Sequence, residues 1–150
     1  MRVLVTGASG FVGLALLQRL KQSVDHDVRG VLRGETPALL VGTDIAVVPG
    51  LAVDTAWQEV LAGINVVIHT AARVHVMNDT LADPLAEFRR VNVEGTLNLA
   101  RQAADAGVRR FIFVSSIKVN GEDTPHGKPF TEDDTPDPAD PYGISKREAE

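Results

Sequence analysis

Residues 1–13 read MRVLVTGASGFVG, and this stretch decides how the rest of the chain is interpreted. Residues 3–5 form a short run of β-forming side chains without polar alternation, which is typical of a strand covered on both faces. Three glycines follow in the spacing G-x-x-G-x-x-G, namely Gly7, Gly10 and Gly13. A helical pattern begins among them, and its apolar side is predicted to carry Phe11, Val12, Leu14, Ala15, Leu16 and Leu17.

Each glycine has a physical role in such a strand–turn–helix unit. Gly7 permits a sharp turn, Gly10 lets the backbone approach a pyrophosphate, and Gly13 lets the helix lie close to the strand. The helix N terminus adds free N–H groups and a partial positive charge. A glycine triplet alone also fits an ordinary turn, but its place between strand and helix favours a dinucleotide-binding loop. We therefore predict cofactor contacts from Gly7, Ser9, Gly10, Phe11, Val12 and Gly13.

The composition is that of an ordinary folded domain. A chain of 150 residues is long enough to bury the core of one domain. Its net charge of −5 and the lack of a basic cluster give nucleic-acid binding no electrostatic support. The absence of cysteine excludes disulfides and thiolate chemistry, and we predict no metal site. Because Met1 leads directly into a strand and no apolar run reaches membrane-spanning length, we expect a cytoplasmic protein without a signal peptide or membrane partner.

Strands and helices are predicted to alternate along the rest of the chain. Further strands are expected at residues 26–32, 45–48, 65–69 and 110–114. Helices are expected after Asp54, which would cap a helix ending near residue 62, from Asp83 to residue 106, and after Asp140. Residues 34–44 are predicted to be a loop or a poor helix. Residues 121–141 have the proline-rich, acidic composition of a disordered linker, but an irregular crossover over the active site is favoured. This rhythm predicts an α/β fold with a parallel sheet, right-handed crossovers and a ligand site beyond the carboxyl ends of the strands.

Several side chains fall at those strand ends and are candidate cofactor contacts. Arg33 follows the second strand, where an acidic residue suits the ribose of NAD and an arginine suits the 2′-phosphate of NADP, so NADP(H) is slightly preferred. A solvated loop cation is the equal alternative. His69 ends the fourth strand, where a packed structural histidine is the commoner case. The remaining candidates are Ala71 and Ala72, small residues after that strand, and Val114 and Ser115 at the end of the fifth strand. Asn92, inside the long helix, is also a candidate, and a hydrogen bond to a neighbouring loop and a role beside the catalytic groups are equal alternatives for it.

The last helix carries a pattern with chemical meaning. Tyr142 and Lys146 are four residues apart, so they share one face of a helix. A nearby ammonium group favours the phenolate, which could exchange protons with an alcohol or carbonyl oxygen. Ser116, at the end of the fifth strand, could hydrogen-bond that oxygen as charge develops. The spacing is common by chance, but its position after the fifth strand and the glycine motif favour a catalytic set.

The motifs TGASGFVG, HTAA, VNVEGT, VSSIKVNGE and YGISK, in this order, resemble the extended short-chain dehydrogenase/reductase family, particularly its nucleotide-sugar epimerases, reductases and dehydratases. The resemblance covers the whole chain. It implies a Rossmann-type doubly wound parallel sheet with helices on both faces, a bound NAD(P) and, for the full-length protein, a homodimer. It also implies that Tyr142 is the acid/base, that Lys146 holds the nicotinamide ribose, and that Ser116 steadies the reacting oxygen.

Departures from the family pattern narrow the activity. Leu51 stands after Gly50 where many members have an aspartate that contacts adenine. Ile117 and Lys118 stand where the 4,6-dehydratases carry Asp-Glu, so dehydration is disfavoured. A UDP-glucose 4-epimerase-like enzyme or a 4-ketosugar reductase acting on a nucleotide sugar is therefore expected. The alternatives are a non-catalytic dinucleotide-binding module and a reductase of a non-sugar substrate such as a sterol or flavonoid.

Family members continue beyond the tyrosine helix into further strands and a C-terminal substrate domain. We therefore expect residues 1–150 to form the NAD(P)-binding Rossmann domain of a longer enzyme, truncated before the last strands. Such a piece would carry the catalytic residues but lack most of the substrate pocket, so it is expected to be inactive by itself.

Overall fold

The computed structural model describes residues 1–74 and 82–150. Its strands form one fully parallel sheet in the order β3-β2-β1-β4-β5. The strands are β1 (Arg2–Thr6), β2 (Asp27–Leu32), β3 (Asp44–Val47), β4 (Val66–His69) and β5 (Arg110–Phe113). The predicted α/β fold with a parallel sheet is confirmed. Because β1 has β2 on one side and β4 on the other, the strand order reverses beside it, and such a point opens a crevice at the carboxyl ends.

Helices connect the strands, and they are α1 (Phe11–Lys21), α2 (Gln58–Leu61), α3 (Pro84–Phe88), α4 (Thr96–Asp105) and α5 (Pro141–Ala149). A π-helical segment, Arg89–Gly95, joins α3 to α4. Two 3-10 turns cover Ala38–Leu40 and Ile117–Val119. In the part of the chain that the structure describes, none of these helices has the length and apolar character needed to cross a membrane.

The core lies on both faces of the sheet. Along β1, Leu4 belongs to a cluster with Trp57 and Leu99 on the side of α2 and α4. Val3 and Val5 belong to a second cluster, against which apolar residues of α1 pack. Because successive residues of a strand point to opposite faces, a strand covered on both sides needs apolar residues at every position. This explains the unbroken apolar run near the N terminus.

Residues 84–105 are helical throughout, as predicted, but the helix is not uniform, because the π-helical segment widens it between α3 and α4. Asn92 is 1% exposed, and its carboxamide turns inward. Its Oδ1 accepts the Arg73 backbone N–H at 2.7 Å, and its Nδ2 donates to the Arg73 carbonyl at 3.0 Å and to Ser145 Oγ at 2.9 Å. Gly95 packs directly on Leu51, where a Cβ would lie 2.7 Å from the leucine Cγ. These tertiary contacts outweigh the local preference for a regular α-helix.

Asp54 does not cap the helix that follows it, as the sequence predicted. The helix α2 begins later, at Gln58, with Trp57 at the N-cap position. Thr55 holds the intervening turn instead, since its Oγ1 donates to the Gly50 carbonyl at 2.8 Å and accepts the Ala52 N–H at 3.2 Å. The predicted cap at Asp54 is therefore wrong, because a turn closed by the Thr55 hydroxyl group comes before the helix.

The predicted starts of α3 and α5 are confirmed. Asp83 accepts the Ala86 N–H at 3.0 Å at the start of α3, and Asp140 accepts the Gly143 N–H at 2.6 Å at the start of α5. Phe11 and Val12, by contrast, do not belong to the buried side of α1, because their side chains are 95% and 54% exposed. Ala15 is exposed as well, and the buried residues of α1 are Gly13 and Leu17.

Replacing Gly95 with alanine is expected to lower the free energy of unfolding by about 1–3 kcal/mol, because the new Cβ would lie 2.7–2.9 Å from Leu51. Gly50→Ala is the matched control, since a Cβ there meets nothing within 4 Å and the change should stay within about 0.5 kcal/mol. Urea unfolding followed by the fluorescence of Trp57, the single tryptophan, measures both. Equal stability of the two variants would contradict this packing.

Candidate functional site

The turn after β1 is closed so tightly that a side chain does not fit at Gly7 or Gly13. Gly7 has a φ of +66°, and a Cβ there would lie 2.9 Å from the Ala71 backbone nitrogen. A Cβ on Gly13 would lie 2.1 Å from the Gly7 carbonyl oxygen. The Gly10 N–H donates to the same carbonyl at 2.9 Å. The three glycines thus hold the start of α1 against the end of β1, as the sequence predicted.

The N terminus of α1 is suited to an anion. Gly10 is the N-cap residue, it makes no side-chain capping bond, and no acidic residue lies in the first turn of this eleven-residue helix. The first N–H groups of a helix have no partner within the helix, and the helix dipole adds a partial positive charge there. Gly10, Phe11, Val12 and Gly13 all line a cleft at this end of the sheet. A phosphate group is the natural ligand for such a helix end.

The cleft has a volume of about 430 Å³. It contains nine of the predicted cofactor contacts: Gly7, Ser9, Gly10, Phe11, Val12, Gly13, Arg33, Ala71 and Ala72. It also contains residues that the sequence analysis missed: Thr6, Val31, Leu32, Val48, Gly50, Leu51, Thr70, Val74 and Val91. Most of these lie at or just after strand ends, so the strand-end rule applied to every strand would have found them. Val91 gave no such signal, because it enters the lining through the π-helical segment.

These features fit a dinucleotide. The cleft volume lies in the range of small-ligand pockets, Gly7, Gly10 and Gly13 place no side chain in the turn, and the helix end is suited to a pyrophosphate. Apolar side chains of Leu32, Val48, Leu51 and Val91 line the walls, where a ring system would be covered. Arg33 is exposed at the rim and also lines an adjoining cleft of about 540 Å³. The residues present can therefore hold NAD(P).

His69 lies behind the cleft rather than in it. Its side chain is fully buried, with Nδ1 2.6 Å from Thr6 Oγ1 and Nε2 3.0 Å from Thr96 Oγ1. The rings of Phe111 and Phe113 pack against it, both with centroids at 5.9 Å. Burial, together with the charge of Lys146, lowers the pKa of His69 to about 3. The expected contact between this side chain and a cofactor is therefore corrected: the imidazole is neutral and holds β1, β4 and α4 together.

Lys146 is buried at the carboxyl end of β5, with 2% of its surface exposed. Its Nζ donates to the carbonyl oxygen of Val114 at 2.7 Å and lies 3.8 Å from the ring centroid of Phe113. Burial lowers the pKa of Lys146 to about 8, and the negative charge of Glu150 opposes this shift. An ammonium group with such a pKa loses its proton close to neutral pH, so small changes in its surroundings alter its charge.

Tyr142 lies one helical turn before Lys146 and is partly buried. Its ring meets Phe88 edge-on, with centroids 6.3 Å apart. Ser116 begins the 3-10 turn that follows β5, and its Oγ accepts the Lys118 N–H at 3.2 Å. That turn packs on α5, where a Cβ on Gly143 would lie 2.6 Å from the Lys118 carbonyl oxygen. The candidate catalytic residues are thus carried by two segments in direct contact.

The glycine cleft and the candidate catalytic residues lie at the same edge of the sheet, but they are separate surfaces in this structure. Neither the catalytic candidates nor the remaining cofactor candidates line the cleft, namely Ser116, Tyr142, Lys146, Asn92, Val114 and Ser115. The Ser115 hydroxyl donates to Glu150 Oε1 at 2.5 Å. The two surfaces are joined by Asn92, which bonds both Arg73, next to the cleft loop, and Ser145, next to Lys146. This amide fixes the position of α5 relative to the cleft.

The low pKa of His69 makes the stability of the fold depend on pH. Between pH 6.5 and 3 the unfolded chain binds a proton that the folded chain does not, so stability is complete above pH 6.5 and falls as the pH decreases. A His69→Gln variant lacks this titration. We expect the stability advantage of the wild type over the variant to shrink by about 2 kcal/mol between pH 7 and pH 5. Urea unfolding at several pH values measures it, and a constant difference would contradict the neutral imidazole.

Residues 3–150 match the NAD dependent epimerase/dehydratase family. The chain is 46% identical over 151 residues to a UDP-glucose 4-epimerase from Vibrio cholerae, which covers 99% of this chain and 44% of that protein. It is 36% identical over 132 residues to a 3-beta-hydroxysteroid dehydrogenase from Mycolicibacterium neoaurum, with 84% of this chain and 35% of that protein covered.

A solved structure with the same fold is a short-chain dehydrogenase/reductase superfamily protein from Agrobacterium tumefaciens with bound NAD. It has a TM-score of 0.80 and 33% identity to this chain, and the match covers 99% of this chain and 43% of that one. The likeness confirms the Rossmann-type architecture expected from the motifs. The chain spans less than half the length of each of these three proteins.

Proposed function

This chain belongs to the NAD-dependent epimerase/dehydratase family of short-chain dehydrogenases/reductases, and from this we propose that it supplies the dinucleotide-binding and proton-transfer groups of a nucleotide-sugar 4-epimerase or 4-ketosugar reductase. The observation that carries the proposal is the buried Lys146, one turn after Tyr142, at the sheet edge that also holds the glycine cleft. The identity to a UDP-glucose 4-epimerase supports a nucleotide sugar as the substrate. Residues 1–150 would be the NAD(P)-binding domain of the whole enzyme.

The glycine loop and α1 would hold the pyrophosphate of the cofactor through backbone N–H groups, and the apolar walls at Leu32 and Leu51 would cover its rings. When bound, NAD(P) supplies a reversible hydride acceptor. Tyr142 would take the proton from the reacting sugar hydroxyl and return it at the end of the cycle. Lys146 would stabilise the negative charge on the phenol oxygen, and Ser116 would donate a hydrogen bond to the reacting oxygen.

Dehydration is not part of the proposal. Ile117 and Lys118 follow Ser116, so no carboxylate stands directly after the catalytic hydroxyl. The carboxylates of Glu122 and Asp140 lie close by, but Lys118 forms an ion pair with each, at 3.4 Å for Asp140. A carboxylate held in this way is a poor base for removing a sugar proton. Reversible hydride transfer remains as the chemistry that the residues support.

A second candidate is a dehydrogenase of a non-sugar alcohol, which the identity to a 3-beta-hydroxysteroid dehydrogenase favours. Both candidates use the same proton-transfer groups, so turnover of UDP-glucose against a hydroxysteroid by the whole enzyme distinguishes them. A non-catalytic dinucleotide-binding module, by contrast, would need none of these groups. A homodimer and a cytoplasmic location stay predictions.

Tyr142→Phe in the whole enzyme is expected to lower kcat by about 10²–10⁴-fold, because only the proton-transferring hydroxyl is removed. The ring that meets Phe88 is kept, so the fold and the dissociation constant for NAD should stay within about twofold of the wild type. Turnover assays and cofactor titration measure the two effects. Undiminished turnover would rule out this mechanism, and turnover absent from the wild type as well would favour the non-catalytic module.

Cofactor preference is tested separately at Arg33, which we propose reads the 2′-phosphate of NADP(H). NADPH should bind more tightly than NADH, and Arg33→Ala should weaken NADPH binding by about tenfold because a charge-assisted hydrogen bond is lost. NADH binding should change little. Arg101→Ala, at an exposed position of α4 outside the cleft, is the matched control. Equal affinities of the wild type for NADPH and NADH would contradict the proposed preference for NADP(H).

A further inference from the structure

The ammonium group of Lys146 is stabilised in an unusual way for a buried charge. Taking an ammonium group out of water is costly unless the protein replaces the lost hydration. In residues 1–74 and 82–150, the ion pairs within 4 Å involve other cations, and none of them includes Lys146. Its partners are the Val114 carbonyl oxygen at 2.7 Å and the Phe113 ring, whose centroid is 3.8 Å from Nζ. The ring is therefore a main replacement for water.

The Phe113 ring is itself held firmly in place. It packs against the His69 imidazole with an interplanar angle of 28° and a centroid distance of 5.9 Å. The imidazole is fixed by the hydroxyl groups of Thr6 and Thr96. Because burial keeps the pKa of His69 near 3, no second positive charge stands beside the ring at neutral pH. The ring therefore interacts with one cation, the ammonium group of Lys146.

We propose that Phe113 is a positioning residue for the proton transfer: its ring holds the Lys146 ammonium at the carboxyl end of β5 and keeps it charged in the working pH range. The inference deepens the proposed function and rests on it for its catalytic consequence. A ring centroid within about 6 Å of a cation is the range of cation–π attraction, and the effect grows when the pair is desolvated. Phe113 therefore raises the pH at which Lys146 loses its positive charge.

Other charged groups around α5 are engaged elsewhere. Directly after α5, Glu150 pairs with Arg147 at 3.0 Å, although its charge still favours the ammonium form of Lys146. Glu148 is held by Arg89 of the π-helical segment, at 2.5 Å. Beside the 3-10 turn, Lys118 is paired with Glu122 and Asp140. Tyr142 precedes Lys146 by one turn, and His69 faces it from β4. The Phe113 ring carries no formal charge, so replacing it removes its attraction for the Lys146 ammonium without adding or deleting a charge nearby.

The test is a pH titration of the Lys146 side chain in the chain itself. Lysine labelled with ¹³C at Cε is observed by NMR, and the Lys146 resonance is assigned by its loss in Lys146→Met. The wild-type midpoint is expected at about 8. In Phe113→Leu it should fall by roughly 0.5–1.5 pH units, because the attraction to the charged form is lost. Trifluorophenylalanine at position 113 keeps the shape of the ring but withdraws its electrons, so it should also lower the midpoint. Phe113→Tyr keeps an electron-rich ring and should retain the wild-type midpoint.

Phe111→Leu is the matched control, because Phe111 lies on the same strand and also packs on His69, at 5.9 Å and 48°. Its midpoint should stay at the wild-type value. An unchanged midpoint in Phe113→Leu and in the fluorinated variant, or an equal fall in Phe111→Leu, would overturn the proposal. In the whole enzyme, the alkaline limb of kcat should move down with the midpoint. If the midpoint moves while Tyr142→Phe retains full turnover, the proposed function fails and the role of Phe113 in holding the charge stands.

Discussion

The contact between Gly13 and the carbonyl group of Gly7 is the constraint on which the architecture depends. A methyl group at position 13 would stand 2.1 Å from that oxygen, so the start of α1 can approach β1 only without a side chain. This approach fixes the helix end at the point where the strand order reverses. The phosphate-binding geometry, the floor of the cleft and the packing of α1 on β1 and β2 all follow from that single close approach.

A second constraint is a series of side-chain contacts that links the glycine turn to β5 across the sheet. Thr6, which precedes the turn, bonds the imidazole of His69, and His69 packs on the two aromatic rings of β5. One of those rings, Phe113, meets the ammonium group of Lys146. The cofactor cleft and the candidate catalytic helix are therefore parts of one packed unit, although they do not share a surface. Polar and aromatic side chains inside the fold transmit the position of one to the other.

The sequence predicts most of what is local in this fold. The apolar run of β1, the glycine spacing and the caps at Asp83 and Asp140 depend on neighbouring residues, and the structure has them as expected. What could not be predicted depends on contacts distant in the chain. For His69 the sequence leaves a ligand contact and a packed structural role both open, and the positions of Thr96 and the β5 rings decide for the structural role. Val91 enters the cleft only because the helix that carries it changes its winding.

The same distinction explains the candidate catalytic set. A four-residue spacing predicts that Tyr142 and Lys146 share a helix face, because helical geometry is local. That Lys146 is covered by an aromatic ring and a carbonyl group is not visible in the spacing, since both partners come from β5. The sequence thus indicates which side chains bear the chemistry, whereas their electrostatic surroundings require the folded structure.

The π-helical segment also has a consequence for how this chain can change in length. A wide turn of this kind accommodates one more residue than a regular helix over the same rise. Deleting one residue there would convert it to a regular α-helical turn and shift the side chains of the segment by one position relative to Arg73, Ser145 and Leu51. Asn92 and Gly95 could not both keep their partners after such a shift. Homologues should therefore vary in length in the surface connections, and hardly at all between Arg89 and Gly95.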